Sequence, residues 1–165
     1  MKKFIKYIAI FNFIIIFNSI IIAENNAIKL GIRNTKTNDN EGISFFSPEI
    51  SYSKYFNNIE ISASLIISPN MPTKNYKVFN SEILKSNIMY NYILTINTYI
   101  SYGISIGILN FNDFVSTTNS GNIEFNYKNF IIEYEYMYLW KKLYFNKSYN
   151  NLISNSIILK YRWIF

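Results

Sequence analysis

The sequence predicts an all-β fold, eight antiparallel strands in up-and-down order, from three observations. Hydrophobic residues recur with a period of two, which no helix produces. The alternating runs are even in number, and the polar connectors between them alternate between long and short, so that consecutive runs return on themselves as hairpins. Composition sets the background: of 165 residues, 32 are Ile, 25 Asn, 15 Tyr and 14 Phe. That bias resembles the imprint of an AT-rich gene and drains meaning from single Ile, Asn or Lys residues. Order along the chain is what carries the reading.

The first residues read as an address. Met1 to Lys6 holds three lysines and no acid, residues 7–22 are apolar apart from Asn12, Asn18 and Ser19, and Ala23 precedes the polar Glu24-Asn25-Asn26. This is the layout of a secretory signal peptide over residues 1–23, cut after Ala23, and the apolar run is also long enough to read as a membrane anchor. The cut leaves one domain, 24–165, with 13 basic and 10 acidic groups in 142 residues. Its small excess of charge forms no Lys/Arg stripe, so no nucleic acid partner is expected. Beyond Ala23 there is no apolar window of the length that a spanning helix needs.

The runs follow in order. The first, 27–34, carries Lys29 and Arg33, and the second, 44–56, carries Glu49 and ends near Tyr52 and Phe56. In 59–68, Ile59, Ile61, Ala63, Leu65 and Ile67 oppose Glu60, Ser62 and Ser64. Run 80–93 has the weakest contrast, with Leu84, Ser86, Ile88, Tyr90 and Tyr92 against Ile83, Lys85, Asn87, Met89 and Asn91. Run 98–110 is the clearest, since Ile100, Tyr102, Ile104, Ile106 and Ile108 share one face and Ser101, Gly103, Ser105 and Gly107 the other. A short run at 121–128 precedes 130–141, where Ile132, Tyr134, Tyr136, Tyr138 and Trp140 alternate with Glu133, Glu135, Met137 and Leu139. The last, 152–165, sets Ile157, Leu159, Tyr161, Trp163 and Phe165 against Ser156, Ile158, Lys160, Arg162 and Ile164. Connectors 34–43, 69–79, 111–120 and 142–151 read as four long loops, and 57–58, 94–97 and 128–129 as short turns. Both termini fall at the short-turn end.

Alternation alone does not say which face is wet. A soluble barrel turns its apolar face inward, whereas a barrel in a membrane turns it outward around a polar interior. Three features favour the second. Aromatic residues gather at strand ends, where interfacial girdles lie. Charged residues fall in mid-strand on the non-aromatic face: Lys29, Arg33, Glu49, Glu60, Glu133, Glu135, Lys160 and Arg162. The chain ends on Trp163-Ile164-Phe165 after alternating apolar positions.

That ending, on Phe165, Trp163, Tyr161, Leu159 and Ile157, resembles the C-terminal signal of bacterial outer-membrane β-barrels. With the leader, the strand number and the size, the chain resembles a small eight-stranded antiparallel up-and-down transmembrane β-barrel of the OmpA/OmpX/opacity-protein type, subfamily not identified. The resemblance implies residence in the cell outer membrane, contact with outer-membrane lipids and lipopolysaccharide, and reading of Phe165, Trp163 and Tyr161 by the outer-membrane assembly machinery. It also implies no enzyme. Small outer-membrane barrels with lipase, protease or acyl-transfer activity rely on a His, and this chain has neither His nor Cys, which also removes thiolate and imidazole catalysis, Cys/His metal sites and disulfides. No cofactor is expected.

Eight strands enclose a lumen that side chains fill, and charges there must be paired. Counting from a level short-turn end places Arg162 near Glu133 and Lys160 near Glu135, in an ion-pair core that also draws on Glu49, Glu60, Lys29 and Arg33. The working surface is then the four long loops, above all 142–151, where Lys142, Tyr144, Phe145, Lys147 and Tyr149 are candidate contacts for a host or cell-surface ligand. The expected role is structural, adhesive or antigenic at the cell surface. The competing reading is an exported soluble lipocalin-like barrel with a small apolar ligand inside; it requires the charges to face water and Ile and Tyr to line the cavity.

Overall fold

The computed structural model describes residues 25–38, 44–71, 79–111, 114–139 and 152–165. They form a closed barrel of eight strands, each paired to its neighbours in sequence, with the first paired to the last. The strands are β1 (Asn25–Thr37), β2 (Ser44–Phe56), β3 (Ile59–Met71), β4 (Phe79–Thr95), β5 (Thr98–Phe111), β6 (Phe114–Tyr127), β7 (Phe130–Leu139) and β8 (Leu152–Ile164). All eight pairings are antiparallel. Closure satisfies every sheet edge, which open sheets leave exposed. The seam between the terminal strands holds to its end, where Asn26 N donates to Phe165 O at 3.1 Å and Phe165 N to Asn26 O at 2.9 Å.

At one end the connections are the two-residue turns Asn57-Asn58, Ile96-Asn97 and Lys128-Asn129. Asn57 and Lys128 take the left-handed backbone conformation, φ 51° and 52°, which lets so short a turn reverse the chain. The opposite end departs from the expected four long loops. Residues 111–120 do not form one: β6 begins at Phe114 and pairs with β5 as far as Phe111↔Phe114. The expected start at 121 failed because Ser116, Thr117, Thr118, Asn119 and Ser120 are polar on both faces. Backbone hydrogen bonds to β5 make that segment a strand without help from an apolar face. The longer connections at this end are therefore 38–43, 72–78 and 140–151.

The two faces are divided cleanly. Inward are Ala27, Lys29, Arg33 and Thr35 on β1, Ser47, Glu49, Ser51 and Ser53 on β2, and Glu60, Ser62 and Ser64 on β3, all buried. Outward are Leu30, Ile32, Ile88, Ile104, Ile106, Ile132, Ile157 and Leu159, all exposed, with Ile104 at 65%. Burying the polar face and exposing the apolar one reverses the order that water imposes. Most strands are 13 residues or longer, beyond the roughly 9–11 that a tilted strand needs to cross a hydrocarbon layer. Outward aromatics ring the short-turn end, with Tyr90 and Tyr102 5.6 Å apart, Phe130 and Tyr161 5.2 Å apart, and Tyr161 and Trp163 4.6 Å apart between ring centres.

Candidate functional site

A β-strand places every second side chain on one face, so the inward residues of eight strands converge on one narrow axis. Seven of the eight bring charge to it. Arg33 of β1 donates from Nη2 to Glu49 Oε2 at 2.7 Å, again from Nε at 3.0 Å, and from Nη1 to Glu135 of β7. Glu135 also receives Lys85 Nζ of β4 at 2.7 Å and the Ser120 hydroxyl at 2.5 Å. Lys160 of β8 pairs with Glu49 at 2.8 Å and with Glu133, and reaches Glu124 of β6 at 4.0 Å. Nearer the short turns, Lys29 pairs with Glu60 of β3 at 2.6 Å and with Glu124 at 3.3 Å. The ion pairs thus join β1, β2, β3, β4, β6, β7 and β8 into one connected set.

The eighth strand, β5, contributes room. Its inward face is Ser101, Gly103, Ser105, Gly107 and Leu109, and a Cβ on Gly103 would stand 2.0 Å from the Ile88 carbonyl oxygen and 2.8 Å from Met89 Sδ. Only glycine admits the close approach of β4 there. Gly31 makes space in the same way for the Lys160 stem, whose Cγ would lie 2.7 Å from an added Cβ. The alkyl chain passes where a side chain would have stood.

All eight expected interior residues, Lys29, Arg33, Glu49, Glu60, Glu133, Glu135, Lys160 and Arg162, are buried on the inward face. Their partners differ from the expected ones. Lys160, not Arg162, meets Glu133, and Glu135 is held by Arg33 and Lys85. The cause is stagger. Glu133 lies opposite Ile158 and Glu135 opposite Ser156, because β8 runs on past the β6–β7 turn, where Arg162 N bonds Asn129 O. A closed barrel requires its strands to be tilted and offset, so their ends are not level. Arg162 has no carboxylate within salt-bridge distance among the described residues; it donates to the Lys128 carbonyl and stacks on Tyr99 at 5.1 Å. Lys85 and Glu124 were not anticipated as members of the set. Their parity on β4 and β6 was the available signal, and on β4 it was blurred by inward Ile83 and Met89 and outward Ser86.

Tyr161, Trp163 and Phe165 stand outward at the short-turn end, on the strand that closes the barrel. The leader 1–23 and the loop residues Lys142, Tyr144, Phe145, Lys147 and Tyr149 lie outside the described residues. The arrangement is opposite to the lipocalin-like alternative: the eight expected charges point into the enclosed space, and most Ile and Tyr side chains, such as Ile104, Ile106, Ile132, Tyr102 and Tyr134, point out. Among the described residues there is no cluster of metal-ligating side chains.

Among solved structures the chain is similar to Neisserial surface protein A, with 16% identity and a TM-score of 0.62 over 83% of this chain and 95% of that one. It is also similar to the Yersinia pestis outer membrane protein Ail in a phospholipid bilayer nanodisc, with 13% identity and a TM-score of 0.52 over 84% of this chain and 99% of that one. No family model and no curated protein matches it. At such identities the likeness is one of fold, that of the small eight-stranded outer-membrane barrels.

Proposed function

We propose that the chain is an outer-membrane β-barrel, exported by a leader cut after Ala23, whose interior is blocked by its own ion pairs and whose role is structural or adhesive at the cell surface. The observation that carries this reading is the reversed burial. A closed wall of Ile, Leu, Tyr and Phe surrounds Lys29, Arg33, Lys85 and Lys160 with their carboxylates, which suits a hydrocarbon solvent and no other. The two similar structures support the location, one being a surface protein and the other an outer membrane protein held in a bilayer.

A plugged lumen leaves the loop end as the working surface. Residues 38–43, 72–78 and 140–151 are its longer connections, and the last holds Lys142, Tyr144, Phe145, Lys147 and Tyr149. Cations among aromatics suit anionic, sugar-bearing surfaces such as lipopolysaccharide or a host glycan. Tyr161, Trp163 and Phe165 serve as the signal to the assembly machinery. Fractionation tests the location: the protein sediments with outer membranes and migrates faster unheated than boiled. Recovery in the soluble periplasmic fraction with no fast band overturns it. Deleting residues 142–151 tests the role; with the fast band retained, binding to lipopolysaccharide vesicles and to host cells is lost, and unchanged binding assigns the loop to mere closure.

A further inference from the structure

The two ends of the lumen differ in chemistry. Toward the loops, Ile66 of β3, Ile83 of β4, Leu109 of β5 and Met137 of β7 pack into one buried apolar cluster, with Ile66 beside Glu49, its register partner on β2. Phe45 is buried at the same end. Toward the short turns, Tyr55 Oη, Glu60 Oε2, Asn126 Oδ1 and Arg162 Nε are buried without a hydrogen bond of ordinary geometry among the described residues, and the Tyr55 hydroxyl lies close to the Glu60 carboxylate. The charged groups whose fields reach the Tyr55 hydroxyl are Lys29, Glu60, Arg162 and Glu124. Two further unpartnered atoms lie elsewhere, Asn87 Oδ1 midway and Ser154 Oγ opposite Met137, at the loop end. Glu133 Oε2 faces Lys160 as an ion pair.

We propose that the lumen is hydrated from its short-turn end only, by water bound among Tyr55, Glu60, Asn126 and Arg162, and that the layer of Ile66, Ile83, Leu109 and Met137 stops it. The mixture of groups selects the ligand. Arg162 Nε–H only donates, Glu60 Oε2 and Asn126 Oδ1 only accept, and the Tyr55 hydroxyl does both; an anion or a cation answers one half of that set, whereas water answers all of it. Buried polar groups left without any partner are rare in folded proteins because each costs a full desolvation. An apolar cluster across a narrow passage disfavours water, since those four side chains offer it no hydrogen bond; they come from β3, β4, β5 and β7, while β1, β2, β6 and β8 bring the buried hydroxyls of Thr35, Ser47, Ser116, Thr118 and Ser154 to the same end. The barrel is then a blind-ended well open to the periplasmic side, in which the four apolar side chains stop water beyond the ion pairs that fill the middle.

The inference rests on the proposed location in a bilayer, and the test separates the two. The chain has no Cys, so Ser101→Cys places a single thiol on the inward face at the short-turn end. The full chain is reconstituted in phospholipid vesicles, insertion is checked by its unheated fast band, and sidedness by protease attack on the long loops. A charged, impermeant thiol reagent is then supplied to one side at a time. Labelling from the short-turn side is expected to be roughly tenfold or more faster than from the loop side, and Leu109→Ser with Met137→Ser to abolish that difference. Equal labelling from both sides of the parent, or none from the short-turn side, overturns the proposal. Should the double substitution fail to insert, the sidedness in the parent decides alone. Absence of the fast band speaks against the location, not the well.

Discussion

Glu135→Gln is the substitution that the ion-pair set is least able to absorb. The carboxylate is fully buried and holds Arg33, Lys85 and the Ser120 hydroxyl at once. Glutamine keeps the volume and an acceptor but no charge. Arg33 retains Glu49 at 2.7 Å, whereas Lys85, itself 1% exposed, has no other carboxylate in salt-bridge range among the described residues. Removing one partner of a buried pair costs about 3–5 kcal/mol; with a single cation stranded, about 3 kcal/mol is expected, or a factor of roughly 100 in the folding equilibrium. Adding Lys85→Met removes the stranded charge, and replacing a buried pair by apolar groups is near neutral, so the double variant is expected within about 1 kcal/mol of the parent. Urea unfolding in lipid vesicles, scored by the fraction of unheated fast band, measures all three. A Glu135→Gln variant within 1 kcal/mol of the parent, or a double variant less stable than the single, refutes the reasoning.

Two more outcomes follow from the wall. Gly103→Ala must push a methyl into the Ile88 carbonyl at 2.0 Å, whereas Gly121→Ala meets nothing within 4 Å; the first is expected to abolish the fast band on refolding and the second to leave it unchanged, and equal behaviour contradicts the close β4–β5 approach. Ile104 stands outward near the middle of β5, so Ile104→Arg is expected to destabilise the vesicle-inserted protein by about 2–4 kcal/mol, the cost of a cation facing lipid. A loss below 0.5 kcal/mol in the same urea titration would mean that this face meets water.

Much of this was legible because parity is robust. A residue and its neighbour two positions on share a face whatever the strand's exact ends, so Lys29, Arg33, Glu49, Glu60, Glu133, Glu135, Lys160 and Arg162 could all be assigned to the interior from sequence. Pairing was not legible, because it depends on stagger between strands, which parity does not contain. The segment 116–120 was missed for a related reason: Thr117 and Asn119 stand outward where apolar residues were sought, and only the ladder with β5 reveals the strand. Lys85 was blurred by inward Met89 and Ile83 on the same run. Local pattern gives the face, and the closed sheet gives the partner.

The same distinction says what the charges add beyond filling space. A strand slipped by two residues keeps each side chain on the face it had, so hydrophobic patterning does not reject it. The ion pairs do. Lys160 of β8 reaches Glu49 of β2 and Glu133 of β7, Lys85 of β4 reaches Glu135 of β7, and Lys29 of β1 reaches Glu60 of β3; most of these cross the lumen between strands that share no ladder. A slip of β1 would carry Lys29 and Arg33 away from four carboxylates at once, Glu49, Glu60, Glu124 and Glu135. A variant with Lys29, Arg33, Lys85 and Lys160 replaced by Met, and Glu49, Glu60, Glu124, Glu133 and Glu135 by Gln, is therefore expected to insert and yet to lose a single register. Ile32 and Leu159 face each other outward across the β1–β8 seam, so cysteines at 32 and 159 should cross-link in the parent and cysteines at 32 and 157 should not. In the neutral variant both pairs should cross-link to comparable extents. If only the 32–159 pair does so there, register is fixed by the turns and the wall, and the charges serve packing alone.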